Sequence, residues 1–217
     1  MIGVPARALN AASDPAVLAI LHAQQSHTWL QAIFDRFMEP VPTDRRSAES
    51  QPAICFLDLT GYTRLTEEHG DQAAADVAGN LARLVQRSAQ SHGGRPVKSL
   101  GDGVMFHFRA PGPAVVAALE MVEASGSAGL PPAHVGIHAG PVLFQEGDYF
   151  GRTVNAASRI ADYARPGEVL VTRQVADVTD SSIVAFRTIG SVDLKGFSSS
   201  LFLLSASRPG TAREANS

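Results

Sequence analysis

Between Ala53 and Ala139 the chain runs strand, helix, strand, strand, helix, strand, and that order predicts an α+β domain. Three observations carry the prediction. Ala53 to Leu59 is an apolar run of strand length ended by Thr60-Gly61. Val77, Leu81, Leu84 and Val85 recur at helical spacing within Asp71 to Ser91, and His92-Gly93-Gly94 supplies a glycine stop. Arg95 to Lys98 and Val104 to Phe108 read as short strands about the hairpin-like turn Ser99-Leu100-Gly101-Asp102-Gly103. The expected architecture is a ferredoxin-like or palm-type sheet, a βαββαβ core with helices packed on one face, preceded by an N-terminal helix.

The remaining elements fit around this core. Residues 1 to 13 have no period and read as a loose arm. Asp14-Pro15 is a helix start, with an N-cap acceptor before a proline at the first helical position. Val17, Leu18, Leu21, Trp29, Leu30, Ile33, Phe34 and Phe37 then follow the helical period to about Met38. Two readings of that amphipathic helix stand side by side: it packs on its own domain, or it pairs with its copy or relays a signal. Pro40 to Pro52 reads as a linker, so the expected division is 1–52 for arm, helix and linker, 53–205 for the main domain and 206–217 for a flexible tail. Pro113 to Ala124 is an apolar helix, His134 to Ala139 and Pro141 to Gln145 are strands, and Thr153 to Tyr163 is a helix stopped by Pro166-Gly167. Glu168 to Thr172, Ile183 to Ile189 and Leu201 to Ser205 complete the strands.

Composition narrows the function. The chain has 217 residues, 45% of them hydrophobic, enough for one well-buried domain plus an appendage. A net charge of -3 and the lack of any Lys/Arg run argue against a nucleic-acid partner. The single Cys55 excludes an intrachain disulfide and fits a reducing compartment, and no His or Cys spacing suits zinc. No apolar run reaches the roughly 18 residues needed to cross a bilayer. The start of the chain lacks the charged and apolar regions of a signal peptide. The expectation is a cytoplasmic chain without membrane contact of its own.

The stretch Asp148 to Ile160 combines an acid, a glycine-broken loop and a helix start. In that helix Asn155 and Arg159 at i and i+4 share a face, beside an apolar stripe of Val154, Ala157 and Ile160. Asp58 and Asp102 fall at the ends of strands that neighbour each other in such a sheet, Asp102 between two glycines and Asp58 three residues before Gly61. Paired carboxylates there suit a hard divalent cation completed by substrate phosphates. His134 and His138, on one strand face, read as packing or surface residues.

Four blocks in order make the chain resemble the class III adenylyl/guanylyl cyclase catalytic domain, of the adenylyl type, from about Ala53 to Leu204. They are Phe56-Leu57-Asp58-Leu59-Thr60-Gly61-Tyr62-Thr63, Lys98-Ser99-Leu100-Gly101-Asp102-Gly103, Gly136-Ile137-His138-Ala139-Gly140 running into Asp148 to Ile160, and Leu194-Lys195-Gly196. The resemblance implies that Asp58 and Asp102, helped by the backbone carbonyl of Leu59, hold two divalent metal ions, Mg²⁺ or Mn²⁺. It assigns Lys98 and Asp148 to the purine, Asn155 to the ribose, Arg159 to the α-phosphate in the transition state and Lys195 to the terminal phosphates.

The implied activity is conversion of ATP to cyclic AMP and pyrophosphate in a signalling context. In the family, the metal carboxylates come from one domain and the purine, ribose and phosphate residues from another. A single domain carrying both sets implies a homodimer with shared active sites. The rival readings are a catalytically silent cyclase-like module that binds nucleotide or dimerises, and a guanylyl cyclase. The silent module would be signalled by loss of Asp58, Asp102, Asn155 or Arg159, all of which are present. Related guanylyl cyclases carry Glu and Cys where this chain has Lys98 and Asp148. A diguanylate cyclase is disfavoured, because the turn is Ser-Leu-Gly-Asp-Gly and not Gly-Gly-Asp/Glu-Glu-Phe.

Overall fold

The computed structural model describes residues 51–210. The N-terminal arm, the amphipathic helix and nearly all of the linker fall outside the described residues, as does the end of the tail. The expected boundaries at 52 and 205 therefore stay a proposal.

The core begins with β1 (Ala53–Leu59), α1 (Tyr62–Ser91), β2 (Arg95–Ser99), β3 (Gly103–Phe108), α2 (Pro111–Ser127) and β4 (Ala133–Ala139). A ribbon of β5 (Leu143–Gln145) and β6 (Asp148–Phe150) follows, then α3 (Arg152–Tyr163), β7 (Val169–Thr172), the short α4 (Arg173–Asp177), β8 (Ala185–Val192) and β9 (Leu201–Ser207). Seven strands form one sheet in the order β2-β3-β1-β4-β7-β9-β8, and β5 and β6 pair only with each other. Among the first four strands each adjacent pair is antiparallel, with β1 between β3 and β4. This is the arrangement expected of a βαββαβ core. β7 joins β4 in parallel, the one parallel pairing among the described strands, and the connection between them passes through the ribbon and α3.

Strand alternation sends each residue to one of two faces. Ala53, Cys55, Leu57 and Leu59 of β1, Val104, Phe106 and Phe108 of β3, and Val135 and Ile137 of β4 join Leu81, Val85, Val115 and Met121 of α1 and α2 in the main core. The two core helices thus lie on one face, as the element order predicts. The opposite face is not left to solvent, and here the structure extends the one-face expectation. Ile54 and Phe56 of β1 and Met105 of β3 pack with Ala157 and Ala161 of α3. Apolar residues at successive positions of β1 are the physical reason, since a strand apolar on both sides is buried on both sides. α3 seats closely because Gly136 of β4 offers no side chain: a Cβ there would lie 2.1 Å from the backbone nitrogen of Ala161 and 2.6 Å from the carbonyl oxygen of Ala157.

Several local features depart from the sequence reading. The helix expected from Asp71 is preceded by a further helical piece from Tyr62, and the two meet at Gly70, whose φ of 82° and ψ of 170° no helix accommodates. The Tyr62 hydroxyl bridges the break by donating to the Ala74 carbonyl at 2.9 Å. The strand expected from Pro141 is shorter and belongs to the ribbon, whose two-residue turn places Glu146 at φ 51° and Gly147 at φ 83°. Two successive positive φ values define the turn whose twist matches a hairpin.

Candidate active site

Asp58 occupies the penultimate position of β1, opposite Gly103 on β3 and His134 on β4. Its carboxylate fills the space a side chain on Gly103 would need, since a Cβ there would lie 1.9 Å from Asp58 Oδ1. Asp102 precedes that glycine and accepts a hydrogen bond from the Leu59 N–H at 3.2 Å on its backbone carbonyl. The hairpin turn is thereby fastened to the end of β1, with both carboxylates beside it. Burial, then the charges of Asp102 and Asp162, push the Asp58 carboxyl up to about 6. Partial burial among like charges is the environment a cation relieves, and two carboxylates completed by phosphate oxygens suit magnesium or manganese. Among the described residues no group of three or more His, Cys, Asp or Glu side chains forms a self-sufficient metal cage.

Lys98 and Asp148, far apart in sequence, meet at the sheet edge. The Lys98 ammonium donates to Asp148 Oδ2 at 2.5 Å, and the Tyr149 N–H donates to Asp148 Oδ1 at 2.8 Å. The hydrogen bond from Lys98 holds the Asp148 carboxyl below its usual range against the opposing effect of burial, and that from Tyr149 adds a lesser lowering. Lys98 reaches this face through an irregularity in β2. Arg95 pairs with His107 and Lys98 with Met105, with a register shift between Pro96 and Lys98. Three residues apart on a regular strand, Arg95 and Lys98 would point to opposite faces; the extra residue puts them on the same one.

Asn155 and Arg159 project from α3, both exposed, while Ala157 and Ile160 are buried and Val154 is partly buried, close to the expected stripe. Arg159 is engaged within the helix, donating from Nη1 to Asp162 Oδ2 at 2.6 Å. Lys195 is exposed in the turn between β8 and β9, beside Gly196 at φ 86°. That turn is tied towards the start of α3 by Arg152, whose guanidinium lies 5.7 Å from the centre of the Phe197 ring. The chain therefore assembles two pairs of its expected site residues, Asp58 with Asp102 and Lys98 with Asp148. Among the described residues Asn155, Arg159 and Lys195 make no side-chain hydrogen bond to either pair.

Sequence reasoning missed two groups here. Asp162 raises the pKa of Asp58 and holds Arg159; its i+3 spacing from Arg159 was the available signal. Tyr149 is buried against His107 and Arg95, and nothing in the pattern of its neighbours announces that.

The fold and the grouped residues define a palm-type α+β domain with a carboxylate pair at the strand ends and a charged pair at the sheet edge. The chain belongs to the adenylate and guanylate cyclase catalytic domain family, whose model matches residues 46–206. An uncharacterized protein of Mycobacterium tuberculosis is 33% identical over 196 residues, covering 88% of this chain and 50% of its own length. An adenylate cyclase of Streptomyces coelicolor is 34% identical over 135 residues, covering 62% of this chain and 35% of its own. The chain thus spans about half or less of the curated relatives it matches. Among solved structures, the adenylyl cyclase CyaB from P. aeruginosa superposes with a TM-score of 0.64 at 24% identity, covering 72% of this chain and 93% of that one. The guanylate cyclase domain of RhGC from Catenaria anguillulae, in complex with GTP, gives 0.63 at 17% identity, with 74% and 97% covered. Adenylyl and guanylyl enzymes match equally well, so the fold does not choose the purine. No described helix is long and apolar enough to cross a membrane.

Proposed function

We propose that this chain is an adenylyl cyclase, a cytoplasmic signalling enzyme that converts ATP to 3′,5′-cyclic AMP and pyrophosphate at sites shared across a homodimer. The observation that carries the reading is the Lys98–Asp148 pair at 2.5 Å. An ammonium donates to adenine N1 and a carboxylate accepts from the exocyclic amine, whereas guanine presents a donor at N1 and an acceptor at C6. An Asp148 held in its charged form by Lys98 can only accept, which favours adenine over guanine.

Asp58 and Asp102, with the Leu59 carbonyl, would hold two Mg²⁺ or Mn²⁺ ions, which supply charge neutralisation and lower the pKa of the ribose hydroxyl. In the proposed reaction the ribose 3′ oxygen attacks the α-phosphorus in line, its proton leaves to solvent, and the bond to the pyrophosphate oxygen breaks. Asn155 orients the ribose, Arg159 neutralises charge developing on the α-phosphate, and Lys195 grips the terminal phosphates. A forked guanidinium suits that role, and removing such a group costs about 10²-fold or more in rate. A single domain that carries both the carboxylate pair and Asn155, Arg159 and Lys195, in a family whose sites form between two domains, supports a site completed by a second copy.

The test is complementation. Asp58→Ala and Asn155→Ala proteins are assayed separately for cyclic AMP formation from ATP with Mg²⁺ or Mn²⁺, then mixed under conditions where subunit exchange is verified. Each alone should be nearly dead, and the mixture should regain activity from dimers with one intact site. No recovery despite exchange would sink the shared site, and an inactive unmutated chain would favour a silent nucleotide-binding module.

A further inference from the structure

The purine pair is divided between two bodies that share no ladder. Lys98 rides on β2, the edge strand of the large sheet, and Asp148 rides on the β5–β6 ribbon, which shares no backbone ladder with that sheet. Their spacing therefore depends on side chains that fasten the ribbon to the sheet edge.

One residue concentrates those contacts. Tyr149, next to Asp148, is 7% exposed and its ring stacks on His107 of β3, with centres 4.6 Å apart and planes 13° from parallel. Its hydroxyl accepts from Arg95 Nη2 at 2.6 Å, and Arg95 also lies over the ring of Phe144 on β5, 5.6 Å from its centre. Arg95 and His107 are a cross-strand pair of β2 and β3, so Tyr149 is clamped by two strands at once. Its own N–H is the second donor to the Asp148 carboxylate. The clamp and the purine-reading carboxylate are adjacent links of one short strand.

We infer that Tyr149, gripped by Arg95 and His107, is a positioning residue that sets purine selectivity by fixing the Asp148 carboxylate against Lys98. This rests on the proposal that Lys98 and Asp148 read the purine. Tyr149 itself touches no substrate in this scheme. Its loss lets the ribbon drift, so the geometry that discriminates an amine from a carbonyl is relaxed while the phosphate and ribose contacts are unchanged.

The readout is the ratio of kcat/KM for ATP to that for GTP, together with the same ratio from equilibrium binding of the non-cyclisable α,β-methylene analogues. In Tyr149→Ala the ratio should fall about tenfold, through a raised KM for ATP with kcat changed less than about threefold. Arg95→Met and Tyr149→Phe remove opposite ends of one hydrogen bond and should each lower the ratio about threefold, the double variant no further than either alone. Arg95 is exposed and Tyr149→Phe keeps the stacked ring, so these two decide the matter if Tyr149→Ala does not fold. Asp148→Ala is measured in parallel. If it lowers the ratio and the clamp variants do not, Tyr149 is only a packing residue and the inference is overturned. If Asp148→Ala also keeps the unmutated ratio, the purine reading has failed and takes the inference with it.

Discussion

On one face of the sheet, Cys55 and Leu57 of β1 and Phe106 and Phe108 of β3 lie in a continuous apolar layer under α1 and α2. On the other face, the alternate residues of the same strands are Ile54, Phe56 and Asp58, then Gly103, Met105 and His107, and among the described residues α3 is the helix that packs on them. His134 and His138 of β4 also fall on this second face, as does Lys98 through the shift in β2. The first layer is thick, dry and without candidate chemistry. The second is thin, and it carries the candidate side chains of the sheet strands, Asp58 and Lys98. The contrast explains how one sheet tolerates carboxylates and imidazoles at its centre: the apolar layer supplies most of the burial, leaving the other side free to hold groups that burial penalises.

If the faces divide stability from chemistry in this way, the largest effect on stability belongs to the first layer. Phe106 is fully buried, and Phe106→Ala should cost about 3–5 kcal/mol in urea denaturation while the protein that stays folded keeps its KM for ATP. A raised KM would mean that the faces are mechanically coupled. Gly136→Ala probes the junction of sheet and α3, where the added carbon meets backbone atoms of Ala157 and Ala161 at all three of its nearest contacts. It should cost about 1–3 kcal/mol and also lower kcat, because α3 carries Asn155 and Arg159.

The third test is acid sensitivity. Burial, then the charge of Arg152, lowers the His138 pKa from 6.5 to about 4, and His138 Nδ1 sits 3.0 Å from Thr172 Oγ1. Between those values the unfolded chain binds a proton at this position and the folded chain does not, so stability falls as pH falls. The loss from pH 7 to pH 5 should be about 1–2 kcal/mol from this group, read as a lower melting temperature, and His138→Gln should reduce the dependence by that amount while leaving the contribution of His107, whose pKa burial likewise lowers to about 4. The smallest effect lies outside both layers. Arg64 and Glu68 form an exposed pair at 3.8 Å on α1, and Glu68→Ala should change stability by less than about 0.5 kcal/mol.

The first layer was legible in the sequence, because strand and helix periods announce themselves when a whole side is apolar. β1 begins and ends at the expected residues, and α3 begins one residue early and ends at the expected one. The second layer was legible only in part. Asp58, Asp102, Lys98 and Asp148 stood out by motif, and the structure brings them together in two pairs, but the placement of α3 on the opposite face depends on Gly136, which no period marks. The five-residue α4 is too short to show a repeat, and the helical piece from Tyr62 to His69 is too polar to show a stripe. Tyr149 reads as an ordinary aromatic residue until the ribbon is folded back over Arg95 and His107.

The extra residue in β2 makes strand length a variable independent of side-chain identity. Arg95 and Lys98 share a face only because one residue between them goes uncounted in the pairing with β3. Deleting Val97 in frame would change neither group, yet it would turn one of them towards the apolar layer. If Lys98 and Asp148 read the purine as proposed, a short deletion or insertion in this strand would disturb that reading without altering either residue.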